Sequence, residues 1–405
     1  MGNLKKAYVV SAKRTAIGSF LGSLKDVPAP KLGAALVKAI LEETGLPSEA
    51  VDEVIVGNVL SAGLGQGVAR QVALHGGITH LVPAYAVNQV CCSGMRAVMN
   101  AVDGIRAGRT NIVFAGGVES MSQAPFYMPG AKIRNGNKLG DLAAADHILH
   151  DALTDAFDNI HMGVTAENIA AKYGIDRQAQ DEFALESQKK ALAAADAGHF
   201  AKEIVPVEIK VGRSETVFSA DEYPNGSTSI EKLQALRPAF KKDGTVTAGN
   251  ASGINDGASM TLIASEEAVK ERGLAPMAEI IGVGHSGIEP HLMGLGPVLA
   301  IKNALRDAGL SLKDMELLEL NEAFAAQALG VVHGLSVNHN MSHADIHKIT
   351  NVSGGAISLG HPVGASGNRI ITTLLHGLAR MNLSTGLASL CAGGGMGTAV
   401  VFRMI

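Results

Sequence analysis

Cys91 stands where an apolar, strand-like run gives way to a helical pattern. The apolar positions after it keep helical spacing: Met95, Val98, Met99, Val102 and Ile105. Cys91 or its neighbour Cys92 is therefore expected at a helix N-terminus, where partial positive charge and free amides favour thiolate and lower a thiol pKa. The pattern indicates a nucleophile, although a free cysteine taken alone is more often a small buried residue.

Two later segments carry residues of complementary chemistry. His361 lies in the Gly- and Pro-dense turn 360–367, ahead of a second helical pattern, and is well placed to act as a base. Cys391 precedes the glycines 393–395 in a pattern of strand, tight turn and return strand, and consecutive glycine amides could point at an oxyanion. Each segment also has a plain alternative: a hydrogen-bonded structural histidine, and a hairpin with an inert cysteine.

Asn321 follows the strand-like run 316–320. An asparagine there most often caps the next helix, and it could instead hold a catalytic water. The sequence alone favours capping.

The elements that position these residues follow an α/β pattern. Apolar strand-like runs alternate with helical periodicity along most of the chain, which indicates buried central strands. These runs are 8–10, 54–56, 112–114, 280–281, 317–318 and 399–402. The stretch from about 121 to 250 is richer in polar residues, and we expect it to be an insertion.

An internal repeat suggests two halves. Asn88 follows Asn58 by 30 residues, and Asn351 follows Asn321 by 30 residues as well. The run 113–117 also resembles the run 389–394. The repeat predicts two α/β halves of similar topology. A boundary at 271–276 would give an N-terminal domain over 1–272, which contains the insertion, and a C-terminal domain over 276–405.

Composition excludes several classes of protein. The 405 residues are 47% hydrophobic and 18% charged, which excludes a disordered chain. The formal charge of −4 gives no case for a nucleic-acid or membrane partner, and no apolar run approaches the length of a membrane span. Three cysteines fit a reducing compartment, so we expect a soluble cytoplasmic protein.

Taken together, the motifs at 91–94, 321–324, 360–367 and 391–397 resemble the thiolase family, in the family's order. Further matches lie at 14–15, 52–60, 237–240 and 247–258, so the similarity extends from about residue 7 to 403. The resemblance implies a thiolase-like fold of two α/β halves with mixed central sheets and an inserted loop domain.

The resemblance also implies catalytic roles. Cys91 matches the nucleophile that is acylated, His361 its base, and Cys391 the second cysteine, which exchanges the α-proton of the condensing acetyl group. Asn321 matches the residue that fixes a water which, with His361, forms one oxyanion hole. The amides of Cys91 and Gly393 match the other.

The expected reaction is a reversible Claisen condensation of two acetyl-CoA to acetoacetyl-CoA and CoA. Residues expected to line the acyl and pantetheine pocket are Ser252, His161, Met162, Phe240, Met293 and Phe324. The family implies no cofactor beyond coenzyme A thioesters, no metal, and a homotetramer built from dimers. This sequence departs from the family pattern at Cys92, where glycine is usual, and at Asn225, which puts contacts to the CoA 3′-phosphate in doubt.

The sequence leaves three other functions open. The first is a 3-ketoacyl-CoA thiolase of broader chain length; the segments 161–163 and 166–168, with the long insertion, resemble the acetoacetyl type instead. The second is a non-catalytic acyl binder, which would be expected to lack one of the catalytic groups. The third is a nicotinamide-dependent oxidoreductase, since 282–287 reads G-x-G-x-x-G, although glycines and prolines follow where the motif needs a helix.

His339, His343 and His347 are spaced as helical metal ligands could be. Ser342 resembles an N-cap that leaves His339 in a loop, and no fourth ligand is evident, so we expect a solvated surface.

Overall fold

The structure is a computed structural model and describes residues 4–405. The strands are β1 (Ala7–Thr15), β2 (Gly18–Ser19), β3 (Glu53–Gly57), β4 (Ala84–Val87), β5 (Ile112–Ser120), β6 (Phe126–Tyr127), β7 (Ala145–Asp146), β8 (Ile204–Val205), β9 (Val207–Val211), β10 (Ser214–Phe218), β11 (Asn255–Ser265), β12 (Ala278–Gly287), β13 (Leu317–Leu320), β14 (Thr385–Ala392) and β15 (Met396–Met404). The α-helices are α1 (Ala29–Thr44), α2 (Val68–His75), α3 (Ser93–Arg106), α4 (Gly130–Arg134), α5 (His147–Asp151), α6 (Met162–Tyr173), α7 (Arg177–Asp196), α8 (Ile230–Gln234), α9 (Glu266–Arg272), α10 (Gly296–Ala308), α11 (Ala325–His339), α12 (His343–Lys348), α13 (Ala356–Leu359) and α14 (Val363–Met381).

The two halves have matching sheets. The first is ordered β1-β11-β5-β3-β4 and the second β12-β15-β14-β13, and antiparallel pairing of β1 with β12 joins them. Both sheets are mixed, since β3 runs parallel to β4 and β5, and β13 runs parallel to β14. Thr350 forms an isolated parallel β-bridge with Leu318 of β13. Its position in the second half corresponds to that of β4 beside β3 in the first half. The prediction of two similar α/β halves is confirmed, and the six apolar runs predicted as strands each lie within one.

Two buried helices, α3 and α14, pack against each other between the sheets. Glycines allow their close approach: a Cβ on Gly94 would lie 2.9 Å from the Gly364 carbonyl oxygen, and one on Gly367 would lie 2.5 Å from the Met95 nitrogen. The contact therefore brings the N-terminal ends of the two helices together. Cys91 and His361 each lie two residues before one of these helices.

The chain between β5 and β11 forms several helices and short strands, as expected of an insertion. Buried ion pairs attach it to β1. Arg14, which is fully buried, donates to Glu203 at 2.6 Å and to both carboxylate oxygens of Asp221 at 2.7 and 2.8 Å. The insertion is thereby held against the first sheet.

The G-x-G-x-x-G segment lies wholly inside β12, and no helix opens directly after it. A Cβ on Gly282 would lie 2.4 Å from the Ala304 carbonyl oxygen of α10, and one on Gly284 would lie 2.3 Å from that of Ala300. These glycines allow α10 to pack closely against β12. The interpretation of the motif as a loop that binds dinucleotide phosphates is therefore wrong.

The spaced histidines lie on two different helices. Ser342 caps α12 as predicted, but His339 ends α11 and does not lie in a loop, because Asn340 adopts the left-handed conformation that terminates that helix. Within residues 4–405, no group of three His, Cys, Asp or Glu side chains is arranged to hold a metal ion. None of the helices in that range combines the length and apolar character needed to cross a membrane.

Candidate active site

Cys91 lies on a sharp turn at the start of α3. Val90 before it has a φ of 49°, which is a strained conformation for a β-branched residue. The buried Ser93 hydroxyl holds the turn, accepting from the Gln89 amide at 2.9 Å and donating to the Val90 carbonyl at 2.6 Å. The predicted position at a helix N-terminus is confirmed, with Cys92 as the N-cap residue.

The predicted lowering of the Cys91 thiol pKa is wrong. Burial raises the pKa of Cys91 to about 11, and the amides of Gly393 and of Cys91 itself, which can hydrogen-bond the sulfur, offset only part of that effect. Desolvation therefore outweighs the favourable field of the helix end. Cys91 therefore rests as a thiol, although its side chain is partly accessible, and it would need a base to act as a nucleophile.

His361 is held by its backbone and by its ring. Its amide donates to the Asn255 side chain at 2.9 Å, and Gly360 before it has a φ of 102° that brings the chain against Asn255. The ring Nδ1 lies 2.6 Å from the Ser366 hydroxyl, which donates its own proton to the Pro362 carbonyl at 2.9 Å. Ser366 must therefore accept from Nδ1–H, and this leaves Nε2 with its lone pair.

The imidazole of His361 is a neutral base. Burial, with a smaller contribution from the positive charge of Arg369, lowers its pKa to about 4. Nε2 is buried and has no hydrogen-bond partner within residues 4–405. The ring can therefore take a proton from a nearby thiol.

Cys391 lies near the end of β14, opposite Gly397 of β15, and the two strands are joined by the predicted glycine turn. Its side chain is fully buried. Burial, with the neighbouring thiols of Cys91 and Cys92, raises the pKa of Cys391 well above 9.0. Cys391 therefore rests protonated.

Asn321 does not cap the next helix, so the capping interpretation is wrong. Helix α11 begins at Ala325, and Phe324 is its N-cap residue. The Asn321 amide hydrogen-bonds the Ser389 carbonyl across to β14, while neither polar atom of its side chain has a partner within the described chain. The Asn321 side chain is buried and does not line the cavity that Cys91, His361 and Cys391 share.

One cavity of about 310 Å³ brings most of the predicted residues together. Its wall includes all three proposed reactive side chains and all six predicted lining residues: Cys91, His361 and Cys391, with Ser252, His161, Met162, Phe240, Met293 and Phe324. Gly393 lines a neighbouring cavity instead, with its amide within reach of the Cys91 sulfur.

The predicted lining residues are fixed by mutual packing. Phe240 stacks on His161 with ring centroids 4.7 Å apart and meets Phe324 edge-on at 6.0 Å. His161 caps α6 by accepting from the Gly163 amide at 3.0 Å. The Ser252 amide donates to the Ala323 carbonyl at 3.0 Å, which joins the end of the insertion to the second half. The cavity is therefore a preformed, largely apolar slot.

Four further residues support the site, and the sequence alone does not show their roles: Ser93, Glu119, Asn255 and Ser366. Glu119 is fully buried and accepts from the Asn58 side chain and from the amides of Val59, Leu60 and Gly364 at 2.8 to 3.1 Å. It thereby ties the turn after His361 to β3 and β5. Ser366 and Asn255 lie inside motifs already noted, but their contacts depend on tertiary structure.

Comparison with known proteins agrees with this arrangement. The family model described as "Thiolase, N-terminal domain" matches residues 7–267, and that described as "Thiolase, C-terminal domain" matches residues 274–404. The chain belongs to the thiolase family.

Individual thiolases resemble the chain over its whole length. An acetyl-CoA acetyltransferase of Escherichia coli (strain K12) is 51% identical over 402 residues, which is 99% of this chain and 100% of the relative. A crystal structure of the Bacillus anthracis acetyl-CoA acetyltransferase has a TM-score of 0.95 at 40% identity, covering 100% of both chains. Human mitochondrial 3-ketoacyl-CoA thiolase has a TM-score of 0.94 at 44% identity, also covering 100% of both.

Proposed function

We propose that this thiolase is an acetyl-CoA C-acetyltransferase that reversibly condenses two acetyl-CoA into acetoacetyl-CoA and CoA. The observation that carries the proposal is the meeting of two cysteines and a neutral histidine, Cys91, Cys391 and His361, in one apolar cavity. Condensing two thioesters needs a covalent acyl carrier, a base near an α-carbon and donors for two oxyanions. The name of the E. coli relative supports the choice of substrate.

The first half-reaction is acylation of Cys91. Nε2 of His361 takes the Cys91 proton while the sulfur bonds to the acetyl carbonyl carbon, and the carbon–sulfur bond to CoA then breaks. The Cys391 thiol gives its proton to the departing CoA sulfur. The enzyme is left with acetyl-Cys91, an imidazolium and a Cys391 thiolate.

The second half-reaction restores every group. The Cys391 thiolate takes an α-proton from a second acetyl-CoA, and the resulting enolate attacks the acetyl carbon on Cys91. The tetrahedral intermediate collapses to acetoacetyl-CoA, and the departing Cys91 sulfur takes its proton back from His361. Protons balance over the cycle, and the high thiol pKa values keep both cysteines protonated between turnovers.

Two sets of donors serve the oxyanions. We propose that the amides of Cys91 and Gly393, which reach the Cys91 sulfur, bind the oxygen of the tetrahedral species. We propose that Asn321, whose side chain makes no protein hydrogen bond within residues 4–405, holds the water that works with His361 at the enolate. Loss of one such donor costs about 10²- to 10³-fold in rate.

A second candidate is a 3-ketoacyl-CoA thiolase of broader chain length, which the likeness to the human mitochondrial enzyme favours. The deciding experiment measures kcat/KM for thiolysis of 3-ketoacyl-CoA substrates from acetoacetyl-CoA upward. Acetoacetyl-CoA as the best substrate supports the proposal. Preference for long chains would select the second candidate, and no thiolysis of any member would refute both.

We also propose that the enzyme works in the cytoplasm as a homotetramer, uses no cofactor beyond coenzyme A thioesters, and has no nucleic-acid or membrane partner. Family resemblance and the balanced charge support these points. Light scattering of the purified protein tests the assembly, and a monomer would contradict it.

A further inference from the structure

Cys92 takes no part in the proposed reaction, yet it connects the two cysteines that do. It is fully buried and is the N-cap residue of α3, but its side chain caps no amide of that helix. Instead, the Cys92 thiol donates to the Leu390 carbonyl at 3.5 Å. Burial raises the pKa of the Cys92 thiol, so it keeps the proton that this bond needs. One contact therefore joins the residue after Cys91 to the residue before Cys391.

The Cys92 thiol lies against a well-defined part of the second sheet. Leu390 of β14 pairs with Thr398 of β15, and Thr398 is also close to the Cys92 sulfur. The next pair along the two strands is Cys391 with Gly397. Cys391 therefore lies one residue beyond the point where Cys92 contacts the sheet.

Helix α10 supports the same strands from the opposite face. Side chains of β15 alternate between the core around α3, to which Val400 belongs, and the core around α10, to which Val401 belongs. A Cβ on Gly397 would lie 2.4 Å from the carbonyl carbon of Gly296, at the start of α10. The strands therefore cannot move away from Cys92 without displacing α10. The Cys92 side chain acts as a spacer between α3 and the sheet.

The other contacts between the nucleophile turn and the glycine turn are made by partly exposed side chains. A Val90 methyl carbon lies 3.6 Å from the position that a Cβ would occupy on Gly393. The side-chain amide of Gln89 lies 3.7 Å from the Met396 sulfur. Gln89 and Val90 are both partly exposed, whereas Cys92 is fully buried. Cys92 is thus the contact with the least freedom to shift.

We propose that Cys92 is a positioning residue for condensation, whose side chain holds Cys91 and Cys391 at the separation that carbon–carbon bond formation requires. The inference rests on the proposed function and goes beyond it to the position at which this sequence departs from the family pattern. Condensation needs the acetyl carbon on Cys91 within bonding range of the α-carbon that Cys391 deprotonates. A misplacement of about 1 Å costs about 10²-fold in rate, so a shift of about half that size should cost about tenfold.

Activation of Cys91 depends on different contacts. The close approach of α3 to α14, which brings Cys91 and His361 together, is made at Gly94 and Gly367. Cys92→Ala leaves that approach in place and keeps the backbone hydrogen bonds that residue 92 makes. The variant should therefore separate the reactivity of the Cys91 thiol from the condensation step.

The test compares two rates in Cys92→Ala and in the wild type. Alkylation of Cys91 by iodoacetamide, in which His361 takes the thiol proton and the sulfur displaces iodide, should stay within about twofold. The kcat for acetoacetyl-CoA formation from acetyl-CoA should fall about tenfold. KM should change little, since Cys92 does not line the cavity. An unchanged ratio of condensation to alkylation, or a change in KM alone, would overturn the inference.

Two further variants distinguish positioning from a general loss of packing. Val102→Ala is the matched control, because Val102 is equally buried in α3 but lies about 15 Å further along the helix. It should leave the ratio of condensation to alkylation unchanged. Cys92→Ser keeps a donor beside Leu390 and should recover at least about threefold of the loss. An equal fall of the ratio in Val102→Ala, or no recovery in Cys92→Ser, would overturn the inference.

The outcomes separate this inference from the proposed function. Far-UV circular dichroism of each variant gives the folded fraction to which both rates are referred. A wild-type enzyme that forms no acetoacetyl-CoA refutes the proposed function itself. A wild-type enzyme that condenses, with the same ratio in Cys92→Ala, leaves the function in place and overturns only the role of Cys92.

Discussion

Replacing Ser366 by alanine tests how His361 is made a base. The Ser366 hydroxyl accepts from Nδ1–H at 2.6 Å and is tied to the Pro362 carbonyl, so it selects the tautomer with a free Nε2. Ser366 does not line the cavity that Cys91, His361 and Cys391 share, so substrate binding should change little. The expected loss is therefore in kcat, with KM nearly unchanged.

The size of the effect follows from the change in charge on the ring. A neutral hydrogen bond contributes about 1 kcal/mol, and one to a charged group about 1.5–3 kcal/mol. His361 becomes charged as Cys91 is acylated, so the Ser366 bond strengthens by about 1–2 kcal/mol on the way to the transition state. Its loss should slow acylation by roughly 5- to 30-fold.

The assay is the pre-steady-state burst of CoA released when enzyme meets acetyl-CoA. Ser389→Ala is the matched control, because Ser389 is an equally buried serine whose hydroxyl bonds the Thr398 carbonyl at 2.7 Å, away from the imidazole. A loss below about twofold in Ser366→Ala, or an equal loss in Ser389→Ala, would refute the reasoning.

The remaining predictions concern proton transfer, pH and stability. Cys391→Ala should still form acetyl-enzyme, more slowly than the wild type because CoA must then leave as a thiolate, but it should not condense, as intact mass and acetoacetyl-CoA formation would show; retained condensation would contradict the role of Cys391. Because the His361 pKa is lowered from 6.5 to about 4, the acylation rate should persist as pH falls through 6.5 and drop only near 4, and a half-maximal rate near 6.5 in stopped-flow assays would contradict this. The same shift removes folding stability as pH falls from 6.5 towards 4, since the unfolded chain takes the proton first. Asp221→Ala leaves part of the Arg14 charge buried without its partner and should cost about 3 kcal/mol in urea unfolding, whereas a loss below about 1 kcal/mol would show the pair to be dispensable.

Periodicity and spacing predicted most of the fold. The interval shared by Asn58–Asn88 and Asn321–Asn351 reflects two strands, β3 and β13, that occupy equivalent places in matching sheets. The helical pattern after Cys91 likewise matches α3. Such hydrophobic patterns can be read from the sequence because each helix or strand buries one of its faces.

Electrostatics and tertiary contacts could not be predicted in the same way. The helix end at Cys91 is visible in the sequence, but the desolvation that reverses its effect on the thiol pKa depends on everything packed around it. Asn321 seemed a cap because local sequence does not show that α11 begins four residues later. The Met162 sulfur lies close to Gly393, and because these two residues are far apart in the chain, no local pattern predicts their proximity.

The central claim is that one thiol, that of Cys91, carries the acyl group. Its most direct test is to trap the enzyme with acetyl-CoA at low pH, digest it and locate the acetyl group by peptide mapping. We predict a single acetyl thioester on Cys91 in the wild-type enzyme and none in Cys91→Ala. Acetyl on Cys92 or Cys391 in the wild type, or an adduct that persists in Cys91→Ala, would contradict the account.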